Sequence, residues 1–71
     1  MKYNIGDLFV SNKGSLVYIE GYDYCINFLP IKYKVHFYEP NKNDIRSSYH
    51  TSTFETFVQA SNGWKHYPVK Q

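Results

Sequence analysis

From Ile31 to Glu39 apolar and polar side chains alternate without a break. Ile31, Tyr33, Val35 and Phe37 fall on one side of an extended chain, and Lys32, Lys34, His36 and Tyr38 on the other. Alternation with period two marks a half-buried strand; an amphipathic helix repeats its apolar positions every three or four residues. Pro40-Asn41-Lys42-Asn43-Asp44 has the composition of a turn. Ile45–Thr51 then returns, with Ile45, Ser47, Tyr49 and Thr51 alternating against Arg46, Ser48 and His50. The pattern predicts an antiparallel hairpin. Keeping its apolar side chains together sets Glu39 opposite Ile45, Phe37 opposite Ser47, Val35 opposite Tyr49 and Tyr33 opposite Thr51. A slip of one residue would put Arg46 beside Phe37 and His50 beside Tyr33.

The remaining segments read as further strands. Asp7–Ser11 is a short first strand holding Leu8, Phe9 and Val10 in a run, and Asn12-Lys13-Gly14 is a turn in which Gly supplies positive φ. Ser15–Gly21 alternates Val17 and Ile19 against Leu16, Tyr18 and Glu20, and Tyr22–Leu29 continues in extended style. Ser52 followed by Glu55 forms a capping-box pattern, and Phe54, Phe57 and Val58 then follow helical spacing. These predict one short helix, Thr53–Ala60, closed at Gly63. A last strand, Trp64–Val69, is limited by Pro68 to an edge or a strand end.

Seventy-one residues allow one hydrophobic core, and a chain of that size buries only about 60% of the surface its unfolded form exposes. A single cysteine, Cys25, rules out an intramolecular disulfide. The core must therefore come from the aromatics: eight Tyr, five Phe and one Trp. Five or so strands with one helical turn before the last predict a mainly β fold, a small, strongly bent antiparallel sheet or barrel spanning residues 1–71 as one domain. The sequence has no apolar run long enough for a membrane span and no export signal, so with its lone thiol it is expected in a reducing cytoplasm.

The opening Tyr3-Asn4-Ile5-Gly6-Asp7-Leu8-Phe9 resembles the entry of SH3-like barrels of the KOW and Tudor type. Phe54-Glu55-Thr56-Phe57 before Asn62-Gly63-Trp64 resembles the short helix preceding their last strand. The overall cast, rich in Lys, Asn, Ile and Tyr, is similar to small accessory proteins of bacteriophages and mobile elements. The resemblance implies an SH3-like β-barrel. Its KOW branch implies nucleic-acid or ribosome contact and its Tudor branch an aromatic cage, but neither set of functional residues can be placed here.

Motifs for catalysis are lacking. Cys25, within Tyr-Asp-Tyr-Cys-Ile-Asn, has no basic neighbour to lower its pKa and reads as a packed thiol. His36, His50 and His66 show none of the close pairing of zinc ligands, so no metal or cofactor is expected. No carboxylate pair is placed for acid–base work, and the four glycines are scattered singly. The chain is expected not to be an enzyme.

One constellation carries a functional reading. The predicted register sets Lys34 opposite His50, His36 opposite Ser48 and Tyr38 opposite Arg46, with Lys32 at the end. The result is a basic face with a tyrosine among its cations and no acid on it. Lys32, Lys34, His36, Tyr38, Arg46 and His50 are the candidate partner-binding residues. The plainer account is the solvated side of a two-faced sheet, with Tyr38 stacked on Arg46. Tyrosine is also in surplus: some of Tyr3, Tyr18, Tyr22, Tyr24, Tyr38 and Tyr67 must reach the surface, where tyrosines serve protein contacts or stack on bases, or simply cap a tiny barrel. A net charge of +2, almost all of its cations Lys, is modest for a nucleic-acid binder. The leading expectation is a protein-binding module that docks on a host or viral protein, an acidic surface suiting it. A nucleic-acid module and a structural component of a virion or assembly are the alternatives.

Overall fold

The computed structural model describes residues 1–24 and 31–70, together with the backbone of residue 30. Five strands, β1 (Leu8–Ser11), β2 (Leu16–Tyr24), β3 (Pro30–Tyr38), β4 (Ile45–His50) and β5 (Trp64–Tyr67), form one sheet in the order β4-β3-β2-β1-β5, every neighbouring pair antiparallel. A helix, α1 (Thr51–Phe57), and a 3-10 turn (Ala60–Asn62) lead from β4 to β5. The chain is mainly β with one short helix before the last strand, as its alternation predicts. The two edge strands, β4 and β5, do not pair with each other, so the sheet is bent but open and not a closed barrel. The predicted extension through Tyr22 holds as far as Tyr24, within β2; the rest of that segment, with Cys25, lies outside the described residues.

Strand β1 and strand β2 are joined by a tight turn in which Ser11 Oγ accepts from the backbone N–H groups of Lys13 and Ser15, and Gly14 takes φ 88°. Inward side chains from the strands meet Phe54 and Val58. The core comprises Tyr3, Phe9, Val17, Ile19, Tyr33, Val35, Phe54, Val58 and Trp64, with Tyr22 and Phe37 packed at its margin. Each fully buried aromatic or branched side chain contributes about 1.5–3 kcal/mol. Phe9 meets Tyr3 and Phe54 edge-on at 4.9 and 5.6 Å between ring centres, the geometry favoured by ring quadrupoles.

Strand β2 carries a bulge. Ile19 pairs with Val35 but Gly21 pairs with Lys34, leaving Glu20 as the extra residue. Odd-numbered residues face the core before the bulge (Val17, Ile19), and Tyr22 takes the inward place after it. Tyr22 then donates its hydroxyl to the Tyr3 carbonyl at 2.7 Å.

Two predictions for the second half are corrected together. The β3–β4 register is shifted by two residues: Lys32 faces His50, Tyr33 faces Tyr49, Lys34 faces Ser48, Val35 faces Ser47, His36 faces Arg46 and Phe37 faces Ile45. A shift of two leaves every side chain on its predicted face, so hydrophobic alternation cannot distinguish the two registers. The helix begins at Thr51, not Thr53, a displacement of the same size. Pairing Tyr33 with Tyr49 frees Thr51 to leave the sheet and lets Tyr49 stack on Phe54. The capping box does not form. His50 is the N-cap, no side chain caps the helix, and Glu55 turns to the Tyr33 hydroxyl instead. The helix ends at Phe57, earlier than predicted; Gly63, at φ 87°, closes the 3-10 turn.

A buried carboxylate ties the segment entering β1 to the end of β5. Asp7 is 1% exposed; its Oδ1 accepts from the Val69 N–H at 2.9 Å, and its Oδ2 accepts from the Asn4 N–H at 3.2 Å and from Nε2 of His66 at 2.7 Å. The His66 ring stacks on Phe9 with centres 4.6 Å apart.

Candidate protein-binding face

Residues that alternate with the core residues share the opposite face of the sheet, which neither α1 nor the 3-10 turn covers. Strand register assembles them from the middle outward. Leu16 lies between Val10 and Tyr38, and Tyr18 lies between Leu8 and His36. Leu8 in turn faces Tyr67 and Val10 faces Lys65. Leu8, Val10, Leu16, Tyr18, Tyr38 and Tyr67 thus form one continuous apolar and aromatic area across four strands. Tyr18, Tyr38 and Tyr67 are 40–45% exposed and the three aliphatic residues partly so.

All six predicted binding residues lie on this same face, toward the β4 side. Lys32, Lys34, Tyr38, Arg46 and His50 are exposed, whereas His36 is buried. Their pairings are those of the shifted register, not those predicted. The prediction that no acid lies among them is corrected. The bulged Glu20 brings its carboxylate to 3.2 Å from both His36 Nδ1 and Arg46 Nε, and Asp44 reaches His36 Nε2 at 3.0 Å. Ser48 donates to Asp23 at 2.6 Å. Tyr38 packs on His36, ring centres 4.2 Å apart, with its hydroxyl 2.9 Å from Nδ1; it does not stack on Arg46. The error came from weighing the hairpin alone: alternation already sets Glu20 on the face of Tyr18, the β2–β3 register brings it beside His36, and Asp44 comes from the hairpin's own turn. Lys32 and Lys34 remain without ion pairs among the described residues.

The face therefore has two parts: an apolar, tyrosine-rich area over β5-β1-β2-β3, and a charge-compensated area over β3-β4. Glu20, Lys34, Arg46 and Ser48 surround a shallow depression in the second part. For the first, sequence reading named Tyr18, Tyr38 and Tyr67 among the tyrosines that could reach the surface, but missed Leu8, Val10 and Leu16 between them. The signal was present in Leu8-Phe9-Val10, because an unbroken apolar run in a strand must place apolar groups on both faces. Among the described residues no three His, Cys, Asp or Glu side chains converge in a way that could hold a metal, and no helix is long and apolar enough to cross a membrane. No family model matches the chain, and neither a curated protein nor a solved structure is significantly similar to it.

Proposed function

We propose that this chain is a non-catalytic protein-binding module, an SH3-like accessory protein of a bacteriophage or mobile element. It acts in the host cytoplasm by docking the open face of its sheet on a host or viral protein. One observation carries the reading: the continuous area of Leu8, Val10, Leu16, Tyr18, Tyr38 and Tyr67, uncovered on the side of the sheet away from the core. Contiguous apolar area rimmed by polar groups is the usual form of a protein interface, and tyrosine supplies contact area at low cost in side-chain entropy. Lys65 beside Val10 and, farther along β3, Lys34 and Lys32 suit an acidic surface on the partner. Nucleic-acid binding is less favoured, because Glu20, Asp23 and Asp44 stand among the cations that would otherwise meet phosphates.

The test is affinity capture of the tagged protein from the presumed host, comparing the parent with Tyr18→Ala/Tyr67→Ala and with Lys34→Ala/Arg46→Ala. The tyrosine variant should lose the captured protein, and the charge variant should lose little. Tight binding of the purified protein to random oligonucleotides, falling steeply with salt, would overturn the proposal.

A further inference from the structure

The two edges of the open sheet are not equivalent. β5 is four residues long, carries Lys65 and is followed directly by Pro68, all features that discourage another strand from adding. β4 is six residues, Ile45-Arg46-Ser47-Ser48-Tyr49-His50, with neither lysine nor proline. On its core side Ile45 is 56% and Tyr49 38% exposed, and Phe57 of α1 is 44% exposed nearby. The strand is also self-complementary in one register. Running antiparallel to a copy of itself with Ser47 opposite Ser47, it sets Ile45 against Tyr49 twice on the core side. On the other side it sets Arg46 against Ser48 and Asp44 against His50. Moving the centre to Arg46 would oppose two guanidinium groups, and moving it to Ser48 would oppose Arg46 and His50. Of these three registers only the Ser47-centred one joins apolar to apolar and acid to base.

We propose that the protein forms a twofold homodimer by antiparallel pairing of β4 with β4 of a second copy, centred on Ser47. The ten strands become one sheet, the two α1 helices lie on the same side, and the two open faces run together. This inference stands on the β4 edge and is independent of the protein-binding reading, which concerns the face.

Sedimentation equilibrium of the full chain, with Ile45→Lys as the variant, tests it. Ile45 is more than half exposed, so the substitution leaves the monomer folded by circular dichroism but puts an ammonium against Tyr49 of the other copy. The parent should sediment at twice 8.4 kDa and Ile45→Lys as a monomer. In a Cys25→Ser background, Ser47→Cys should form an intermolecular disulfide about tenfold faster than Ser48→Cys, since only the former brings like positions within bonding distance. A monomeric parent, a dimer unaffected by Ile45→Lys, or equal cross-linking at the two positions overturns the proposal.

Discussion

The hydroxyl of Tyr33, midway along β3, donates to the carboxylate of Glu55 on α1 and accepts from the backbone N–H of Tyr3 at 3.2 Å. A buried strand residue thereby holds both the helix and the segment entering β1. Tyr33→Phe removes the acceptor for the Tyr3 N–H and should cost about 1–3 kcal/mol in urea unfolding. Ser52→Ala, which would matter had the capping box formed, should change stability by no more than about 0.5 kcal/mol. A larger loss for Ser52→Ala than for Tyr33→Phe would contradict this geometry.

Alkaline stability follows from the same hydroxyl. Burial, followed by the bond to the Glu55 carboxylate, raises the Tyr33 pKa well above its ordinary value of 10.0. A group whose folded pKa is raised contributes stability below its unfolded pKa and loses it as pH climbs beyond. The protein should therefore weaken above pH 10, with a step in tyrosinate absorbance that coincides with loss of the β signal in circular dichroism. Tyr33→Phe should make that step smaller without removing it, because burial raises the Tyr22 pKa as well.

Acid stability rests on Asp7. Burial alone would raise its pKa, but the Val69 N–H, His66 and the Asn4 N–H, together with the charge of His66, outweigh burial and bring it below 3.8. The sign is opposite to that of Tyr33: Asp7 stabilises above its unfolded pKa, and the contribution disappears as pH falls through the folded value. Asp7→Asn should lower the melting temperature at neutral pH and flatten its decline below pH 4. An unchanged acid limb would show that other carboxylates govern it.

The interior should tolerate loss of volume unevenly. Phe9 is wholly buried between Tyr3, Phe54 and His66, whereas Phe37 sits at the margin of the core against Phe57 and Trp64. Phe9→Ala should cost about 3–5 kcal/mol, enough to unfold much of a domain this small. Phe37→Ala should cost roughly half as much, because water can partly refill its place. Thermal melts of the two variants side by side would decide the order.

Period-two alternation was enough to place strands and faces, and Val17, Ile19, Tyr33 and Val35 lie inward as it predicts. It could not see the two-residue register shift, since both registers satisfy the same pattern. Nor could it see the bulge at Glu20, which depends on how β2 bends over β3. The candidate face suffered because the pairing of β2 with β3 was not legible. Lys32, Lys34 and Arg46 were legible from the hairpin alone, but the acid that neutralises its centre comes from another strand. Asp7 reads from sequence only as the start of the first strand, because its partners, His66 and Val69, lie far along the chain.

The pairing of β1 with β5 has a mechanical consequence. Leu8 lies opposite Tyr67, so the chain enters β1 and leaves β5 at the same end of the ladder. A pull on residues before 7 and after 69 would act across the two strands, not along them. The Asp7 contacts to His66 and Val69 would bear the load first, and the ladder would then open one rung at a time from Leu8–Tyr67 toward Ser11–Trp64. Force applied this way should detach β5 at low tension, like a zipper, while a pull through β2 and β3 in shear would meet many bonds at once.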